Sequence, residues 1–158
     1  MVVYAAIAAM LGMIGFFVWY ASLDNPELEK VEIDLMGVEV GSINKVENTA
    51  ELKINFLVTN PSEKTFTVSL INYELYADGQ YLANGQYSTA DIPMPGRAIF
   101  HSGAQIPLEN SIELQKSEVS NEIYQAVLDD KINSFTAKGI ITTESAWSLV
   151  EKEFESST

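Results

Sequence analysis

Residue types that commonly carry chemistry are sparse in this chain. His101 is its only histidine and stands between Phe100 and Ser102 in a stretch that reads as a strand. An imidazole binds metal or relays protons when a second ligand or a nucleophile is held beside it, and no such motif accompanies His101. Cysteine is absent, which excludes disulfides, thiolate metal sites and thiol nucleophiles. A Ser-His-Asp hydrolase would have to run through His101, and there is no G-x-S-x-G elbow. Neither G-x-x-x-x-G-K-S/T nor G-x-G-x-x-G occurs, so a glycine-rich phosphate cradle is missing. Carboxylates cluster at Asp129-Asp130 and from Glu151 to Glu155, but without the alternating ligands and turn glycine of a calcium loop. Solvated acids are the expectation there. Asn60-Pro61-Ser62 is no glycosylation acceptor, because proline occupies its middle position. No catalytic, cofactor-binding or metal site is expected, and no small-molecule substrate.

The rest of the composition agrees with a binding or structural role. With 158 residues the chain has room for one domain and an appendage. Its formal charge of −13, from 22 acidic and 9 basic residues, disfavours electrostatic partnership with nucleic acid or anionic lipid.

The appendage is the N-terminal segment. Val2 to Leu23 contains no charged residue, and at ~1.5 Å per residue a helix of that length crosses a ~30 Å hydrocarbon core. A single transmembrane helix over 1–23 is therefore expected, with Tyr4 at one membrane interface and Trp19 and Tyr20 at the other. A cleaved signal peptide fits less well: no basic residue precedes the run, and a cut after Ala21 would place Trp19 where a small side chain is required. Ala5, Ala8, Ala9, Gly12 and Gly15 recur at spacings of three and four, a helix face small enough for close packing on a second membrane helix. Without basic residues on the short flank, orientation follows from the acidic flank after Asp24, which places the larger part outside a cell membrane; the opposite topology stays open. Residues 24–30 form a short linker that keeps the domain near the membrane.

From Val31 the pattern turns to strands. Val31, Ile33 and Leu35 alternate with acids, and Met36-Gly37 marks a bulge before Val38 and Val40. Gly41 to Thr49 reads as a turn. Leu52, Ile54, Phe56 and Val58 form the inward face of the next strand, which stops at Asn60-Pro61. Phe66 to Tyr76 follows, Asp78-Gly79 offers the positive-φ positions of a tight hairpin, and Tyr81 to Tyr87 returns. Tyr73, Tyr76, Tyr81 and Tyr87 then lie where cross-strand aromatic packing accounts for them. Ser88 to Arg97, with Pro93, Pro95 and Gly96, suggests a crossing between sheets. Ala98 to Pro107 reads as a strand closed by Pro107. Over Ser111 to Asp130, Ile112, Leu114, Val119, Ile123, Ala126 and Val127 fall near helical spacing, with Ser117 or Ser120 as N-cap. Lys131 to Thr143 is a further strand with a register break at Gly139.

The tail, 144–158, reads either as a final strand with Trp147 and Leu149 inward or as a short helix with Trp147, Val150 and Phe154 on one face. Trp147 and Phe154 also qualify as a partner-docking pair. The expected architecture is mainly β: an immunoglobulin- or fibronectin-like β-sandwich over 31–143 with one short helix, after a transmembrane helix.

The run V-x-N-P-S, F-T-V-S-L, Y-x-L-Y-A-D-G and L-A-x-G from Val58 to Gly85 resembles the late-embryogenesis-abundant type 2 proteins, the desiccation-related group with the water-stress and hypersensitive-response domain. Val58, Asn60, Pro61, Phe66, Val68, Leu70, Tyr73, Leu75, Tyr76, Gly79, Leu82 and Gly85 are the matching positions. The resemblance implies a non-catalytic sandwich with a role in stress tolerance or in stabilising proteins and membranes, which the membrane span would place on the outer membrane face. The membrane span departs from the soluble form common in that group. A second expectation is an accessory subunit of an integral-membrane complex, with membrane lipid and other membrane subunits as partners.

Overall fold

A computed structural model of the chain describes residues 2–23, 25–90 and 96–158. Helix α1 (Val2–Ser22) is followed by one helical turn, α2 (Asn25–Leu28), and then by eight strands and a short helix. Among the described residues, α1 is the one helix long and apolar enough to cross a membrane, and its apolar side chains have no protein packed over them. Leu28, by contrast, is fully buried. The linker expected over 24–30 is thus partly core, because an apolar side chain six residues past α1 drops between the sheets.

Strands β1 (Glu32–Asn44), β2 (Thr49–Thr59) and β6 (Gln105–Gln115) make one antiparallel sheet in the order β1-β2-β6. The larger sheet runs β4 (Gln80–Ser88), β3 (Phe66–Ala77), β7 (Phe135–Glu144), β8 (Leu149–Ser157), and β5 (Ile99–Phe100) also pairs with β3. Inward residues of both sheets form one core: Leu52, Ile54, Phe56 and Val58 from β2 meet Ile71, Tyr73 and Leu75 from β3 and Ile141 from β7. Alternation puts each of these side chains on the same face of its strand, so a one-residue slip would expose the whole set. The edge of T-shaped Phe56 and Tyr73 rings, 5.0 Å between centroids, joins the two layers at the centre.

Each open seam between the sheets is bridged by side chains. Asn110 on β6 donates to the Tyr73 hydroxyl (2.9 Å) and to the Gln86 carbonyl (3.0 Å). At the other seam Ser156 on β8 accepts from the Leu35 amide (2.8 Å), and Lys152 reaches the Val31 carbonyl. Lys152 is a charge pointing inward from an edge strand, a feature that opposes pairing with a further chain.

The bulge at Met36-Gly37 appears as a register shift between Leu35 and Gly37. Asp78 (φ 46°) and Gly79 (φ 80°) build the tight hairpin turn. Asn60 is the buried knot of the β2–β3 turn: its amide group donates to the carbonyls of Lys64 (2.7 Å) and Phe100 (2.8 Å) while Oδ1 accepts from the amide (2.9 Å) and hydroxyl (2.7 Å) of Ser62. The sheet crossing expected over Ser88 to Arg97 lies partly outside the described residues.

Several boundaries differ from the expectations. The strand expected over Ala98 to Pro107 is only Ile99–Phe100; the chain turns at His101 to Ala104, and Pro107 lies inside β6. Proline is tolerated there because β6 is an edge strand with one partner, β2. Ile112 and Leu114 belong to β6 and not to a helix; their alternation with Ser111 and Glu113 has the period of a strand. Helix α3 is Asn121–Leu128, with Ser120 as N-cap accepting from the Ile123 amide, and it buries Ile123, Tyr124 and Val127 at one end of the sheets. Strand β1 continues to Asn44, so the turn expected from Gly41 is shorter. In β7 the register is regular at Gly139, and the break falls instead between Val68 and Leu70 on β3. The tail is the final strand β8, paired along its length with β7. Its facing is opposite to that expected: Trp147 and Leu149 are exposed, whereas Val150 is buried.

Candidate functional site

A concavity of about 930 Å³ lies across strands β4, β3, β7 and β8 of the larger sheet and is open to solvent. Across its floor runs a row of cross-strand neighbours, Gly85 (β4), Tyr73 (β3), Gly139 (β7) and Phe154 (β8), whose aromatic side chains pack into the core. Two glycines alternate with two aromatic residues. A Cβ at Gly85 would stand 2.1 Å from the Tyr73 ring, so the ring occupies the space a side chain would take. A Cβ at Gly139 would meet the Asn72 carbonyl oxygen at 2.0 Å and Tyr73 Cα at 2.7 Å, so β3 and β7 approach too closely there for any side chain. The outward side chains of Asn72, Glu74, Asn84, Gln86, Lys138 and Glu153 surround the hollow.

Its rim carries both signs of charge. Lys138 pairs with Glu155 (2.9 Å) and lies 5.8 Å over the Tyr76 ring. The Tyr76 hydroxyl donates to Glu74 (2.6 Å), and that hydrogen bond raises the Tyr76 pKa. Burial pushes the Tyr73 hydroxyl up to about 12, only partly offset by the hydrogen bond from Asn110. Both phenols are therefore neutral at physiological pH. Carboxamides, carboxylates and one ammonium offer hydrogen bonds and charge, without a nucleophile poised beside a base.

His101 lies elsewhere, in the exposed turn after β5, where Nδ1 is 3.4 Å from the Thr65 hydroxyl. No group of three His, Cys, Asp or Glu side chains with metal-binding proximity occurs among the described residues. Of the α1 residues, Ala5, Ala8 and Ala9 are exposed, and Gly12 and Gly15 have no atom within 4 Å of an added Cβ. Tyr4, Trp19 and Tyr20 are exposed as well, toward the two ends of the helix. Trp147 and Phe154 do not form one patch: Trp147 is 74% exposed in the β7–β8 turn, while the Phe154 ring meets Phe56 edge-on at 6.0 Å. The hollow was not among the sequence expectations. The isolated glycines inside strand patterns, Gly85 and Gly139, mark only the close approach of a neighbour.

No protein-family model matches the sequence, and comparison with curated proteins gives no match. Solved structures share the fold. A solution structure of an Arabidopsis thaliana protein aligns with a TM-score of 0.57 at 17% identity, over 80% of this chain and 78% of that one. An X-ray structure of a structural-genomics target aligns with a TM-score of 0.50 at 8% identity, over 83% of this chain and 89% of that one. A solution structure provisionally assigned to the late embryogenesis abundant proteins has a TM-score of 0.44 at 17% identity, over 96% of this chain and 83% of that one. At these identities the likeness is one of fold alone.

Proposed function

We propose that this chain is a single-pass membrane protein whose immunoglobulin-like domain acts by binding, and not by reaction, just outside the cell membrane. The observation that carries the reading is the junction. A 21-residue helix without a charged residue, bare of protein contacts, leads within a few residues to Leu28 in the domain core. Exposed apolar surface of that length is stable only when lipid covers it. The domain is thereby held at the bilayer surface with little freedom to roam.

The immunoglobulin-like assignment rests on strand order. Sheet β1-β2-β6 facing β4-β3-β7-β8 follows the pattern in which strands A, B and E oppose C, F and G, with one added strand beside C. Affiliation with the late-embryogenesis-abundant type 2 group rests on Asn60-Pro61, Asp78-Gly79, Tyr73 and Gly85, each of which has a structural task in this fold. The function that follows is a stabilising or protective contact made through the sheet surface.

A second reading is supported by the bare small-residue face. Gly12 and Gly15 are open to a neighbouring helix, as in an accessory subunit of a membrane complex. Gentle detergent extraction from native membrane, after an alkaline wash, tests both. Retention in the washed membrane is expected, and release by the wash would overturn membrane anchoring. A stoichiometric set of multi-span proteins travelling with the chain selects the accessory subunit; migration alone selects the tethered protective domain.

A further inference from the structure

We infer that the β7–β8 turn is a second membrane contact, in which Trp147 seats in the headgroup layer of the bilayer that α1 enters. This rests on the reading of α1 as a membrane span. Trp147 is 74% exposed and its neighbour Leu149 59% exposed, although the outward positions that follow on β8 are Glu151, Glu153 and Glu155. The turn is built to present the indole rather than to let it drift. Ser145 donates its amide to the Ser148 carbonyl (2.8 Å), and its hydroxyl accepts from the amides of Trp147 (3.3 Å) and Ser148 (3.2 Å).

The location decides the partner. The Ser148 hydroxyl hydrogen-bonds Asn25 Oδ1, and Asn25 opens α2 three residues after the last residue of α1. Trp19 and Tyr20 occupy the last turn of α1, the end from which the chain runs on to Asn25. The turn therefore hangs beside the point where the chain leaves the helix, at the level where interfacial aromatics settle. An indole suits that layer: its ring takes the apolar side and its N–H stays among headgroups and water. Of the acids near the turn, Glu144 pairs with Arg97 at 3.8 Å and Glu27 with Lys30. Contact with zwitterionic phospholipid needs no basic patch, which suits a chain of charge −13. The consequence is two-point fixation: α1 sets the position of the domain, and Trp147 sets its tilt, which governs how the sheet hollow is offered outward.

The chain has two tryptophans, so the test uses the full-length protein in phosphatidylcholine nanodiscs carrying quencher-labelled lipid. In Trp19→Phe, Trp147 is the only reporter; in Trp147→Phe, Trp19 is. Quenching of Trp147 by labels near the headgroups, with protection from aqueous acrylamide, is expected. Trp147 quenched by acrylamide and untouched by lipid labels, while Trp19 is quenched by lipid, overturns this inference alone. If neither tryptophan meets lipid labels, the membrane span falls and this contact with it. A blue-shifted Trp147 shielded from both quenchers would mean a protein contact and also overturns it.

Discussion

Replacing Asn60 by alanine tests the local logic of the fold. The side chain makes four hydrogen bonds, two donated to Lys64 and Phe100 carbonyls and two accepted from Ser62. Truncation does not cost all four equally. The Lys64 carbonyl keeps the Ser62 hydroxyl as a donor at 3.2 Å, but the Phe100 carbonyl and the Ser62 amide lose buried partners. Each orphaned buried group costs ~1–3 kcal/mol, so Asn60→Ala should destabilise the domain by ~2–6 kcal/mol. At ~3–5 °C per kcal/mol for a domain of this size, the midpoint falls by ~6–30 °C. Asn60→Asp keeps the acceptor for Ser62 but turns a second oxygen toward two carbonyls. Its carboxyl is expected to have a raised pKa in the folded state, so its defect should shrink as pH falls and the acid protonates to donate one bond. The assay is thermal unfolding of the full chain in mild detergent, followed by the β-sheet band of circular dichroism. An alanine variant within ~0.5 kcal/mol of the parent protein would refute the role given to Asn60, because that is the range of ordinary surface substitutions.

Three further outcomes follow from the geometry. Gly139→Val should prevent normal pairing of β3 and β7, since the clash is with backbone; Gly85→Ala, which meets a side chain, should be milder, and limited proteolysis ranks the two. Equal resistance would count against the close approach. Tyr73 titrates near 12 when folded against about 10 when unfolded, so the unfolded chain loses its proton first and stability declines as pH rises past 10, by ~2 kcal/mol near pH 12; denaturation midpoints against pH, compared with Tyr73→Phe, isolate that slope, and identical slopes in the two proteins would refute it. Gly12→Leu should abolish co-purification of any tightly packed membrane partner while leaving the unfolding midpoint of the β domain unchanged; co-purification that survives Gly12→Leu would rule out the helix face as the contact.

Local pattern carried much of the β architecture. Strands β1 to β4 were legible because inward apolar residues alternate with polar ones, and because Asn60-Pro61 and Asp78-Gly79 have backbone demands that few other residues meet. The uncharged run from Val2 needed only its length and composition to mark an apolar helix. Where a segment is short, periodicity fails: Ile112 and Leu114 fit a strand and a helix equally well until β2 supplies eleven paired positions beside β6.

What only the tertiary structure decided are relations between distant segments. The hollow on the larger sheet needs Asn72, Glu74, Asn84, Gln86, Lys138 and Glu153 brought onto one face by the register of four strands, and register is a property of pairs of strands, not of any one. The tail illustrates the same limit. Its composition permitted strand or helix with Trp147 buried; β7 recruited it as an edge strand, and the parity of that pairing turned Val150 inward and left Leu149 outside. Ser148, next to Trp147, came to hydrogen-bond Asn25 for the same reason: backbone hydrogen bonding fixed the turn in space, and one sheet edge brought the two ends of the sequence together.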